Sequence, residues 1–204
     1  MAAGESVAGD GRLGNGRLGN GRLGDGTALR STAEIAELIQ ARVRDVADYP
    51  RPGVMFKDIT PLLADGAALA AVVSALSSGH DGVDKVAGIE ARGFILAPSV
   101  AIQLGVGFVP VRKQGKLPGP TYAQSYDLEY GSATIEVHRD AFGPGERVLI
   151  VDDVLATGGT GAATAELVRQ AGAEVAGIAV LLELSSLNGR AQLPDAPVRS
   201  LLVV

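Results

Sequence analysis

Apolar residues recur along this chain with two different periods. Ile35, Leu38, Ile39, Val43 and Val46 mark one face of a helix. Ser31 and Glu34, three residues apart, have the spacing of a capping box at its start. The pattern predicts a helix that continues until Tyr49-Pro50-Arg51-Pro52-Gly53 stops it. A second helix is expected from about Asp65, with Leu69, Val72, Val73 and Leu76 facing inward. After that the period shortens. Residues 85–89, 107–112, 147–151 and 174–182 are short apolar runs rich in β-formers, and 133–138 alternates as a strand does. Helical stretches at 94–104 and 162–171 lie between them, the second closed by Gly172. Apolar strands alternating with helices predict an α/β fold, with a mainly parallel sheet covered on both faces.

The first 30 residues do not share this pattern. Residues 11–25 repeat a five-residue unit, GRLGN, GRLGN, GRLGD. A glycine every two or three residues makes ordering costly, and one leucine per repeat cannot offset it. The expected organisation is a disordered Gly-rich tail over 1–30 and one domain over 31–204. At 47% apolar residues the chain has ample material for a core. Its net charge of -5 argues against nucleic acid as a partner. The absence of cysteine excludes disulfides, thiolate nucleophiles and cysteine zinc sites. Neither a secretory signal nor a bilayer-spanning run is evident, so a cytoplasmic location is expected.

The chemistry gathers where residues 148–161 read VLIVDDVLATGGTG. Asp152 and Asp153 are expected at the carboxyl end of a strand, where open α/β sheets bind ligands. Ala156, Thr157, Gly158, Gly159 and Thr160 follow and lead into a helix. Paired glycines let backbone N–H groups converge, the helix start adds partial positive charge, and the threonines add hydroxyl donors. Such a nest suits a phosphate monoester. The loop lacks the lysine of a P-loop and the spacing of a dinucleotide-binding turn. Two carboxylates beside it would repel phosphate unless they bind ribose hydroxyls or a hydrated divalent ion. A ribose 5-phosphate satisfies both halves.

This segment resembles the phosphoribosyl pyrophosphate signature of the type I phosphoribosyltransferases. Four further stretches, PGVMFKDIT at 52–60, EARGF at 90–94, RKQGKLPGPT at 112–121 and LEYG at 128–131, are similar to the adenine phosphoribosyltransferase family in order and spacing. The resemblance runs from about Thr32 to the C-terminus. It implies the type I fold with a flexible hood, and transfer of ribose 5-phosphate from phosphoribosyl pyrophosphate to adenine, giving AMP and pyrophosphate. Arg92, with Lys113 and Lys116 of the hood, would bind the pyrophosphate. Phe56, Lys57, Tyr130 and Leu184 would hold adenine, and Glu129 would bind or help deprotonate a ring nitrogen. With Arg92, Asp152 and Asp153, Glu129 completes the expected catalytic set. The resemblance further implies Mg2+, held mainly by substrate oxygens and water with no direct protein ligand, and a homodimer. Two alternatives stay open: a xanthine, hypoxanthine-guanine or orotate transferase on the same scaffold, and a non-catalytic regulator that binds the same donor.

Overall fold

A computed structural model describes residues 31–127, 131–193 and 195–204. The repeat tail over 1–30, and Glu129 and Tyr130, lie outside the described residues. Helix α1 (Thr32–Gln40) opens with the expected capping box: Ser31 N–H donates to Glu34, and Glu34 N–H to Ser31 Oγ. It ends sooner than the periodicity predicts. The chain turns at Ala41–Arg42, and β1 (Arg44–Val46) pairs antiparallel with β2 (Phe56–Asp58). The reason is charge as well as β-branching. Arg44 faces Asp58 and Asp45 faces Lys57 across this ladder, so each pair matches opposite charges. Val43 still packs on the core, which is why it counted toward the helical face.

Helices α2 (Thr60–Ala64) and α3 (Gly66–Ser77) follow, the second capped by Asp65 as expected. Then come β3 (Lys85–Ile89), α4 (Gly93–Leu104), β4 (Gly107–Lys113), β5 (Thr121–Asp127), β6 (Ser132–His138), β7 (Arg147–Leu155), α5 (Gly159–Gln170), β8 (Glu174–Glu183) and β9 (Val198–Val203). The main sheet has the order β5-β6-β4-β3-β7-β8-β9. Strands β4, β3, β7, β8 and β9 are parallel, while β6 pairs antiparallel with β4 and β5 with β6. Ile39, Val72, Leu76, Leu96 and Val100 of α1, α3 and α4 are buried on one face against Leu149, Val151 and Leu181. On the other face Leu167 and Val168 of α5 cover Ile150, Ile178 and Val180. The mainly parallel α/β sheet expected from the sequence is present, with both faces covered.

Besides β1 and β2, two strands of the main sheet escaped the sequence reading. β5 is a polar edge strand whose residues alternate between exposed and half-buried, so it carries no apolar run. β9 is a short strand at the other edge. β7 is longer than predicted and continues to Leu155, so Asp152 and Asp153 stand within the strand.

Candidate active site

Four chain segments meet at the carboxyl end of the parallel strands. After β3 the chain passes through Glu90 and Ala91, joined by a cis peptide, to Arg92 at the cap of α4. This turn lies directly on β7. A Cβ on Gly93 would stand 2.9 Å from both Asp152 Oδ1 and Val151 O, closer than a side chain tolerates. Arg92 therefore lies where its Nε is 2.8 Å from Asp153 Oδ2. Its Nη1 donates to the Lys57 carbonyl at 3.3 Å, and its Cζ sits 5.0 Å above the Phe56 ring. Phe56 is half-buried and meets Tyr49 edge-on, with ring centres 5.0 Å apart. So Phe56, Lys57, Arg92, Asp152 and Asp153 form one cluster. Lys57 joins it through its main chain; its ammonium is paired with Asp45 at 2.8 Å.

The acidic pair is electrostatically strained. Burial pushes the Asp152 carboxyl well above the ordinary range, and the neighbouring Asp153 charge adds to this. Burial raises Asp153 too, although Arg92 pulls against it. Asp153 Oδ2 is buried and accepts no hydrogen bond among the described residues, despite its closeness to Arg92. Asp153 N–H donates to Asp152 Oδ1 at 2.9 Å, which holds one carboxylate in place. An unsatisfied buried acceptor of this kind is costly unless a donor from outside supplies the hydrogen bond.

Beside this cluster lies the glycine-rich loop. β7 ends at Leu155, and α5 begins at Gly159 rather than at residue 162. Gly158 caps the helix with φ of 88°, a left-handed geometry that favours glycine, and no side chain caps the first turn. Its leading N–H groups are therefore left for a ligand, as an anion nest requires. Thr157 is exposed at the mouth, whereas the Thr160 carbonyl is bound by Thr164 Oγ1. A cleft of roughly 390 Å³ opens here, lined by Ser125, Tyr126, Asp127, Thr157, Gly159 and Gln192 among others.

The stretch expected to form the hood includes, among the described residues, β5 and the strands β4 and β6 on either side of it. Lys113 ends β4 and Lys116 lies in the following turn, both exposed. Glu90 anchors this turn to the Arg92 loop: its Oε2 accepts Arg112 Nε at 3.3 Å and Lys113 N–H at 3.1 Å. Burial works to raise Glu90, but those donors hold its carboxyl below the ordinary range. Sequence reasoning passed over Glu90, although it opens the very motif that contains Arg92. Leu184 follows β8 and donates its N–H to Leu155 O at 2.9 Å, next to the loop.

The phosphoribosyl transferase domain, as a family profile, matches residues 55–202. Adenine phosphoribosyltransferase of Acidothermus cellulolyticus is 63% identical over 174 residues, covering 84% of this chain and 98% of that protein. The enzyme of Streptomyces coelicolor is 62% identical over 176 residues, covering 83% and 97%. The chain belongs to the adenine phosphoribosyltransferase family. Solved structures of the family superpose closely. That from Rhodothermus marinus has a TM-score of 0.80 at 51% identity, covering 84% of this chain and 99% of its own. That from Saccharomyces cerevisiae, complexed with an imino-altritol bisphosphate and adenine, has a TM-score of 0.80 at 38% identity, covering 83% and 99%.

Proposed function

We propose that this chain is an adenine phosphoribosyltransferase of purine salvage, in which the clustered residues divide the substrates among them. The carrying observation is the position of Arg92, 2.8 Å from Asp153 and 5.0 Å above the Phe56 ring. A cation fit for pyrophosphate, acceptors fit for ribose hydroxyls and an aromatic face fit for a purine converge on one point. The 5′-phosphate sits on the N–H groups of residues 156–160. Asp152 and Asp153 accept from the 2′- and 3′-hydroxyls, supplying donors to the buried Asp153 oxygen.

The reaction breaks the C1′–O bond to pyrophosphate and forms a C1′–N bond to adenine. Positive charge develops on the sugar ring, as in glycoside hydrolysis, so the acidic pair stabilises it through the hydroxyls. Arg92, Lys113 and Lys116 receive the departing charge. Phe56 stacks on adenine with Leu184 and Tyr130 around it, Lys57 lies beside it, and Glu129 takes up the proton released from the ring nitrogen. The residues suit Mg2+ that arrives on its substrate. The acidic pair, with Asp153 2.8 Å from Arg92, would face such an ion through water and substrate oxygens. When bound, Mg2+ neutralises charge on the pyrophosphate. Incubating the protein with phosphoribosyl pyrophosphate, Mg2+ and each free base in turn tests the whole reading. Pyrophosphate release is expected with adenine alone; release with hypoxanthine, guanine, xanthine or orotate instead, or with none, would overturn it.

The assembly we assign is a homodimer. Ile95 and Ile102, seven residues apart on α4, are 45% and 77% exposed and project from one helix face, Ile95 in the first turn after Arg92. Two large apolar side chains on one helix face suit a second copy of the chain. Ile95→Glu with Ile102→Glu is expected to halve the mass measured by light scattering on a sizing column; an unchanged mass would place the contact elsewhere. No helix among the described residues is long and apolar enough to cross a membrane. The cytoplasm, where phosphorylated nucleotide precursors are retained, is the location that this chemistry suits.

A further inference from the structure

The loop at residues 156–160 is backed by another piece of chain. After β8 come two short 3-10 turns, Ser185–Leu187 and Gly189–Gln192, joined at Asn188. Gly189 and Gly158 lie face to face. A Cβ on Gly158 would overlap the Gly189 carbonyl and stand 3.0 Å from Gln192 Cβ, and one on Gly189 would overlap the Ala156 carbonyl and stand 3.0 Å from Gly158 N. Two main chains this close move together, so whatever fixes Gly189 also fixes the turn at Gly158.

The neighbouring residue fixes it. Arg190 forks onto Glu183, with Nε to Oε1 at 2.7 Å and Nη2 to Oε2 at 2.8 Å. Its Nη1 donates to Val198 O at 2.9 Å, and Nη2 also reaches Ser200 Oγ at 3.2 Å. Ser200 Oγ donates to the same carboxylate. Glu183 is only 7% exposed and ends β8, opposite Leu155, the last residue of β7. This bidentate pair thus ties the turn carrying Gly189 to the strand ends from which the phosphate loop springs. The start of the segment is held separately, by Leu184 N–H to Leu155 O and by Ser185 N–H and Oγ to Val204 O.

We propose that Glu183 and Arg190 are positioning residues for phosphate binding, pressing Gly189 against Gly158 so that the loop keeps its ligand-ready shape. The proposal rests on the reading that residues 156–160 hold the 5′-phosphate. Because Leu184 is anchored independently, loosening Arg190 weakens the donor and spares adenine. A purely structural staple would produce no such split.

The test uses the full chain with Arg190→Met, Arg190→Lys, and Arg190→Met combined with Glu183→Gln. The double variant removes the stranded charge that could prevent the first from folding. KM for phosphoribosyl pyrophosphate and Kd for ribose 5-phosphate are expected to rise about tenfold or more, the scale of misplacing a binding group by under an ångström. KM for adenine stays within about twofold, since ground-state binding of the base is untouched. Arg190→Lys falls between. Equal changes in both KM values, or unchanged ribose 5-phosphate binding, would overturn the proposal. Gly158→Ala separates the two layers. If it loses ribose 5-phosphate binding while the Arg190 variants keep it, only the positioning role fails; if it too binds normally, the phosphate-loop reading fails with it.

Discussion

Asp152→Asn combined with Asp153→Asn is expected to lower turnover by about 10²–10³-fold, the scale seen when preorganised electrostatic groups are lost at a developing charge, while leaving the protein folded and more heat-stable. Burial holds both carboxyls above their ordinary value of 3.8, so each resists ionisation in the folded state. A carboxyl raised on folding contributes stability that is fully present below its unfolded pKa and is lost as pH rises through the folded one. Neutral amides of the same size remove the penalty. The melting temperature of the double variant should therefore exceed the parent's at pH 8, and the gap should close as pH falls toward the ordinary carboxyl value of 3.8. Thermal melts at several pH values and steady-state turnover at pH 7.5 check the two halves together. Unchanged turnover would sink the assignment, and a gap that widened on acidification would contradict its electrostatics.

The conflict between burial and charge is what made the acidic pair legible before the fold. Two acids after four aliphatic residues conflict with a buried strand, and the conflict marks the place where a ligand must supply hydrogen bonds. The glycines of the phosphate loop were legible for a similar reason, since Gly158 must adopt a positive φ that few other residues tolerate. The periodicity read the parallel core well because those strands are apolar on both sides. It failed at Arg44–Val46, where cross-strand charge pairs outweigh helical spacing, and at β5, a polar edge strand held by its ladder to β6. Glu90 and the pair Glu183–Arg190 escaped notice because nothing local distinguishes a charged residue that braces a loop from one in water. Only the partners reveal it: Lys113 N–H and Arg112 for the first, Ser200 and Val198 for the second.

Arg92→Lys is the second substitution with a large expected effect. Arginine here does three things at once: it pairs with Asp153, donates to the Lys57 carbonyl and covers the Phe56 ring. Lysine keeps the charge but has neither the planar fork nor the flat face that lies over an aromatic ring. kcat/KM for phosphoribosyl pyrophosphate should fall about 10²-fold, the loss of a bidentate clamp on the leaving group. KM for adenine should rise as well, because Phe56 loses the cation that steadies it. Melting should shift little, since the Arg92 side chain is 36% exposed and its charge is already partly solvated. Arg92 rests against Asp153, so on the proposed reading incoming pyrophosphate would compete with that carboxylate for the guanidinium and leave Asp153 to take a ribose hydroxyl. The two residues then act as one unit, and their effects should not add. In a double-mutant cycle with Arg92→Lys and Asp153→Asn, the combined loss in kcat/KM should be clearly smaller than the product of the single losses. Strictly multiplicative losses would mean that Arg92 and Asp153 serve the substrate independently, and that their 2.8 Å contact has no part in loading the donor.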